Sequence, residues 1–510
     1  MYFGIERKPI FVLGVLLVYM FISVHSLMVG QEMDNFESRL TEFTLENGLK
    51  FIVFERHTAP VISFHTYANV GSVDEVKGIT GMAHLFEHMA FKGSQTVGTM
   101  NYEAEAKILA QLDESFLILK KEKQEKGKID REHLKELRKS FEKLQKTASQ
   151  YLVLDEFEEA LIRAGASGLN ASTYYDATQY TVSLPSNKLE LWMVLESERF
   201  LNPVLREFYK EKDVVMEERR LRTESRPVGR LVEEFLAVAF KAHPYGEPVV
   251  GHMSDLETMT RQEAEIFFED YYSPGNLTIS IVGDVDPNEV RNLARIYFGR
   301  IPERPKPGPV ETVEPPQLGE RRVSVEDTAQ PLVLIGYHKP NVNHSDNAVF
   351  NTITDILGIG RTSRLHKNLV KEKRIAVSAS AFQDMPGNKY PGLFLFYAMP
   401  APGHTSQQCE EAIGVEIERL KSELVSVKDL EKSRTRSRAS LVRSLASNRG
   451  VARELTYYEV VTGDWRNLFR HLDRIDKVTS EDIQRVARLY FTSKNKTVGV
   501  LETVSVQGAK

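Results

Sequence analysis

The apolar positions of this chain change period several times, and each change predicts an element. Residues 45–53 read as a strand carrying an Asn47-Gly48 turn signal. Further on, Ile108, Leu109, Leu112 and Phe116 recur at helical spacing before Gly127, and Leu134, Leu137, Phe141 and Leu144 do so after it. This predicts an antiparallel helical hairpin inserted at about 102–158, with a solvated, charged outer face and an apolar stripe satisfied by its own two helices. Residues 331–337 form a buried-strand run, 377–382 and 392–397 are strand-like, and helical repeats follow at 409–421 and 427–445.

Two breaks interrupt this pattern. Prolines 302, 305, 307, 309, 315 and 316 prevent helix and sheet continuation, so 301–318 is expected to be a semi-rigid extended linker between a first unit at 38–300 and a second at 319–510. At the N-terminus, Arg7 and Lys8 precede an apolar run over 10–24 and the small-residue exit Val24-His25-Ser26. That order reads as a signal peptide, residues 1–26, cleaved after Ser26, with export to the periplasm or outside. The run is short against the roughly 20 residues of a membrane span. An uncleaved anchor is the alternative and leaves both units on the outer face of the inner membrane.

Composition narrows the function classes. At 510 residues the chain exceeds one domain of about 150 residues. The formal net charge of −5 argues against nucleic-acid binding through bulk positive potential. Cys409 is the single cysteine, so there is neither an internal disulfide nor a cysteine metal framework.

The densest chemistry lies in His84-Leu85-Phe86-Glu87-His88. On a helix, positions i, i+3 and i+4 share a face, so both imidazoles and the carboxylate converge beside the axis. Neutral imidazole suits Zn²⁺, and a glutamate beside the metal that is not a ligand can serve as base. The order His-x-x-Glu-His is the inverzincin signature.

The chain resembles the pitrilysin-type inverzincin peptidases, relatives of insulysin and the mitochondrial processing peptidase, and within them the processing-peptidase-like bacterial branch. The likeness begins at 45–53 and runs through Gly71-Ser72-Val73-Asp74-Glu75, the His84–His88 motif and Phe91-Lys92-Gly93-Ser94. It continues in residues 168–180, in His243-Pro244-Tyr245-Gly246, in Ser273-Pro274-Gly275-Asn276-Leu277 and in Ile281-Val282-Gly283-Asp284-Val285. The resemblance implies an α+β fold of two homologous halves, each an antiparallel sheet with helices packed on one face, forming a clamshell. The second half, which lacks His-x-x-Glu-His, would be an inactive copy.

The resemblance also implies site residues. One Zn²⁺ per chain would be held by His84, His88 and Glu218, with Glu87 as catalytic base and Glu211 as a second carboxylate near the metal. Glu211 and Glu218 are two helical turns apart, whereas Glu217 would point elsewhere. Peptide substrate would pair with an edge strand containing Asn170, Ala171, Ser172 and Thr173. The family's second half supplies an arginine and, seven residues later, a tyrosine to the substrate backbone; the matching positions here are Val370 and Val377. A homologous subunit is therefore expected to contribute that pair, making this chain the zinc subunit of a heterodimeric endopeptidase for extended peptides. The alternatives are a non-catalytic structural or processing subunit and a zinc-stabilised peptide-binding module.

Overall fold

The computed structural model describes residues 35–124 and 131–504. The expected signal peptide and Gly127 at the hairpin tip lie outside the described residues.

Strands β1 (Leu40–Thr44), β2 (Lys50–Glu55), β3 (Val61–Ala68), β4 (Ser167–Thr173), β5 (Thr178–Pro185) and β6 (Leu277–Gly283) form one sheet in the order β1-β2-β6-β3-β5-β4. Strands β7 (Arg321–Asp327), β8 (Leu332–Lys339), β9 (Ala376–Met385), β10 (Gly392–Pro400) and β11 (Lys496–Thr503) form a second, β7-β11-β8-β10-β9. Pairing is antiparallel except for β2 with β6 and β7 with β11. In each half a helical excursion returns the chain to an edge strand, β4 or β9.

The region 45–53, expected to be one strand, is divided. Thr44 pairs with Lys50, so Asn47-Gly48 turns the chain between β1 and β2, and Gly48 takes the left-handed conformation (φ 89°) that its missing Cβ allows. Residues 301–320 carry no helix or strand. They are strapped to the first half, because Glu314 accepts the backbone N–H groups of Lys241, Ala242 and His243.

The functional helices are α1 (Met82–Met89), the hairpin α2 (Tyr102–Gln124) and α3 (Arg131–Ala148), then α4 (Phe208–Arg219) and α5 (Pro227–Ala239); the second half contributes α6 (Asn347–Leu357), α7 (Val427–Ser444) and α8 (Asn448–Thr462). The hairpin satisfies part of its stripe between its own helices, where the Phe116 and Phe141 ring centroids are 6.0 Å apart, but not all of it. Phe116 and Phe141 pack on Tyr209 of α4, with ring centroids 4.4 and 5.3 Å away, and the Lys212 ammonium lies 3.9 Å from the centre of the Phe116 ring. Its base is thus seated on the helix that carries Glu211 and Glu218.

The halves also exchange helices, which covers a second face of each sheet. Leu231, Phe235, Leu236 and Ala239 of α5, a first-half helix, pack on Leu334, Leu393, Leu395 and Leu501 of the second sheet. Gly336 on β8 and Gly499 on β11 make room for Phe235: a Cβ at either would stand within 2.9 Å of its ring. In return Val451, Ala452 and Leu455 of α8 pack on Ile52, Phe54 and Val282 of the first sheet. The His243-Pro244-Tyr245-Gly246 segment lies at this seam, where the Tyr245 hydroxyl donates to Asp176 (2.5 Å) and the other Asp176 oxygen accepts the N–H groups of Asn388 and Lys389 from the second half. No helix among the described residues is long and apolar enough to cross a membrane.

Candidate metal centre

α1 exists because one face is apolar: Met82, Leu85, Phe86 and Met89 are buried in the first core, and His84, Glu87 and His88 are left on the other side. Its N-cap, Gly81, has no side chain to cap with. Glu75 supplies the missing acceptor from upstream, taking the N–H groups of Gly81 and Ala83 at 2.8 and 2.7 Å. This buried carboxylate also faces the positive end of the helix dipole.

α4 crosses α1 and brings Glu218 to the histidines. Glu218 Oε1 is 3.7 Å from His84 Nε2, and Oε2 is 3.5 Å from His88 Nε2. One ligand atom from each of the three lies within 4.8 Å of the others. These separations exceed those of strong charge-assisted hydrogen bonds and leave between the groups a gap of the kind that could hold a cation. Two imidazoles and one carboxylate are a donor set that zinc accepts while retaining an open position. Glu217, the rival in the sequence, is exposed and pairs with Arg220 at 3.0 Å.

Behind the histidines lies a relay of alternating charge. His88 Nδ1 meets Glu211 at 3.4 Å, Glu211 meets Lys92 at 2.7 Å, and Lys92 meets Glu207 at 3.3 Å. Such outer partners fix the ring orientation and leave Nε2 available to a metal. Burial alone would lower the His88 pKa, but Glu211 and Glu218 outweigh it and raise the ring to about 9 in the metal-free protein. His84 is more deeply buried and burial dominates there, holding it at about 4. The Arg222 guanidinium, on the π-helical turn Arg220–Glu224 that follows α4, donates to Glu218 at 2.6 Å from a largely exposed stem.

Glu87 faces the edge strand. Burial raises its pKa above the ordinary glutamate value, and the neighbouring Thr173 of β4 opposes that rise. Asn170, Ala171 and Ser172 pair inward with Thr181, Tyr180 and Gln179 of β5, so the outer edge of β4 remains open. In the second half, Val370 sits half-buried against the core and Val377 stands 53% exposed on β9. Cys409 is buried against Ile375 O and its thiol is pushed up to about 11 by burial, far from thiolate chemistry.

Family comparisons match this architecture. A family model described as insulinase (peptidase family M16) matches residues 51–116 and 141–252, and one described as the peptidase M16 inactive domain matches 258–437. The chain belongs to peptidase family M16. The M16 match is interrupted at 117–140, on the outer part of the α2–α3 hairpin. A zinc protease from Helicobacter pylori, PqqE, is 28% identical over 467 residues, covering 90% of this chain and 92% of that protein. An uncharacterized zinc protease from Bacillus subtilis, YmxG, is 22% identical over 455 residues, covering 89% and 96%. Among solved structures, a protease from Helicobacter pylori aligns with TM-score 0.75 at 27% identity over 91% of this chain and 99% of that one. A peptidase M16 inactive domain from Pseudomonas fluorescens aligns at 0.72 with 14% identity over 92% and 99%, a likeness of fold.

Sequence reasoning met Glu75 and Lys92 only as parts of family-like segments, gave them no role, and did not single out Glu207. Glu75 caps α1 from six residues upstream rather than from the N-cap position, and the relay is assembled from two segments over a hundred residues apart, so no local spacing rule marks either.

Proposed function

We propose that this protein is an exported zinc endopeptidase that hydrolyses extended or unfolded peptide segments, working as the zinc-bearing subunit of a heterodimer that encloses its substrate. The observation that carries the reading is the convergence of His84, His88 and Glu218 beside a Glu87 that touches the open edge strand. Zinc held by those three residues would supply a Lewis acid that polarises the scissile carbonyl and acidifies water. Substrate adds to β4 through main-chain hydrogen bonds, which tolerates varied side chains. Glu87 takes a proton from the attacking water and returns it to the leaving nitrogen. Its raised pKa moves it toward the range in which a carboxyl can both accept and donate near neutrality.

A homologous partner enters because valines at 370 and 377 donate no hydrogen bond to a developing oxyanion, and one missing donor costs about 10²–10³ in rate. Hydrolysis of a quenched peptide library by the purified chain, alone, with a candidate homologue, and with a chelator, tests the proposal. Activity should be weak alone, rise about a hundredfold or more with the homologue, and vanish with the chelator. Full activity from the single chain, unchanged by the homologue, refutes the division of labour; chelator-resistant hydrolysis refutes the zinc mechanism.

A further inference from the structure

The end of β4 remote from the metal is occupied by the other half of the chain. β4 begins with a register shift between Ser167 and Asn170, and within it Gly168 adopts φ 62°. Arg449, from the first turn of α8, donates to Ser167 O at 3.1 Å, and its guanidinium lies so close over Gly168 that a Cβ there would collide with it. The segment before α8 is fixed to the first half: Arg56 donates to Leu445 O and Ala446 O at 3.3 and 3.2 Å, and Asn448 donates to Val61 O at 3.2 Å. Arg449 is therefore aimed at the strand by its backbone surroundings.

Its charge is unanswered. Arg449 makes no ion pair among the described residues, and its guanidinium donates to a neutral carbonyl. It stands in the first turn of a helix, where a cation is disfavoured by the helix dipole, so it does not serve the stability of α8. Thr173, at the opposite end of β4, touches Glu87. Six residues of strand at roughly 3.3 Å each place the two ends about 20 Å apart.

We propose that Arg449 is a specificity-determining residue that ends the substrate strand and binds a carboxylate five to six residues on the carboxyl side of the scissile bond. The inference rests on β4 being the substrate strand. A peptide added antiparallel to β4, the more stable pairing, runs from Thr173 toward Ser167, so its carboxyl-side flank travels toward Arg449. Beyond Asn170 the bulge interrupts regular pairing and the guanidinium covers the strand. The carboxylate belongs either to a free C-terminus at that distance or to an Asp or Glu side chain there.

The test uses the full-length protein with its activating homologue and quenched peptides of one cleavage sequence, ending three to eight residues after the scissile bond, each as free acid and as amide, plus amidated peptides with Asp moved along that flank. The free acid should be favoured about tenfold in kcat/KM at five to six residues and little at three or eight, the scale of one charge-assisted hydrogen bond. In Arg449→Gln that ratio should fall to about one, Arg449→Lys should restore part of it, and Arg443→Gln, exposed at the end of α7, should leave it intact. Preference for free acids alone identifies a C-terminus reader, and equal preference for Asp identifies an internal acidic residue; both support the proposal. A ratio independent of length, or one that survives in Arg449→Gln, overturns it. Peptide affinities measured on the Glu87→Gln variant give the same comparison without turnover, so failure to cleave any peptide sinks the peptidase reading and not this one.

Discussion

The same two-helix crossing occurs in both halves with opposite electrostatics. In the first, α1 and α4 bring two imidazoles and the Glu218 carboxylate to within 3.5–3.7 Å without filling the space between them. In the second, α6 and α7 bring Asp355 against Ser433 at 2.9 Å and Arg436 at 3.1 Å. There the cation is part of the chain. A carboxylate at such a contact needs a positive partner: in the second half Arg436 supplies it from the packed helix itself, whereas in the first Arg222 reaches Glu218 at 2.6 Å from a largely exposed stem and the two imidazoles stand off on the other side. Loss of metal chemistry in the second half therefore need not weaken its packing. The two sheets, with matching edges β4 and β9 and one parallel pair each, tolerate either solution.

The largest expected effect isolates chemistry on the first side. Glu87→Gln should retain zinc, measured by metal analysis, and lose about 10²–10⁴ in kcat. Loss of zinc along with rate would show that Glu87 builds the site rather than acting in it. On the second side, Asp355→Ala should leave Arg436 half-buried without its partner and cost about 2–3 kcal/mol in chemical denaturation, with zinc content unchanged. If zinc content falls with it, the two crossings are coupled and the comparison fails.

A smaller effect concerns the proton that zinc must displace. The folded value for His88, about 9, lies above the ordinary histidine value of 6.5, so the stabilisation from its charged form is complete below about 6.5 and is lost as pH rises through about 9. Zinc needs the neutral ring, so apparent zinc affinity should climb between pH 6.5 and 9, by up to about tenfold per unit. Glu211→Gln removes a partner of the protonated ring. It should flatten that climb and weaken zinc binding about 10- to 100-fold at pH 9, read by competition with a fluorescent chelator. An unchanged slope would leave Glu218 alone in control of the ring.

Much of the first half's chemistry was legible because it is local. Three fixed positions on one turn predict a shared helical face, and a seven-residue interval puts Glu211 and Glu218 on one side of α4. What was not legible is set by contacts that spacing does not encode. The stripe Phe116–Phe141 could be read, but not that Tyr209 completes it. Helical periodicity in 427–445 marks α7, yet nothing in it says that Arg436 meets Asp355. The apolar faces of α5 and α8 give no sign that each belongs on the other half's sheet, since periodicity reports that a face is buried and not what buries it.

That exchange has a consequence for how the chain is made. The first sheet is complete in sequence at Gly283, but Ile52, Phe54 and Val282 are not covered until the chain has been extended through Val451, Leu455 and Phe469. At ~5–20 residues per second, this apolar face stays open for roughly 10–40 s of synthesis. During that interval the first half already holds the three residues of its candidate metal centre while its sheet still lacks a lid. A product truncated at the proline-rich linker would keep that face exposed.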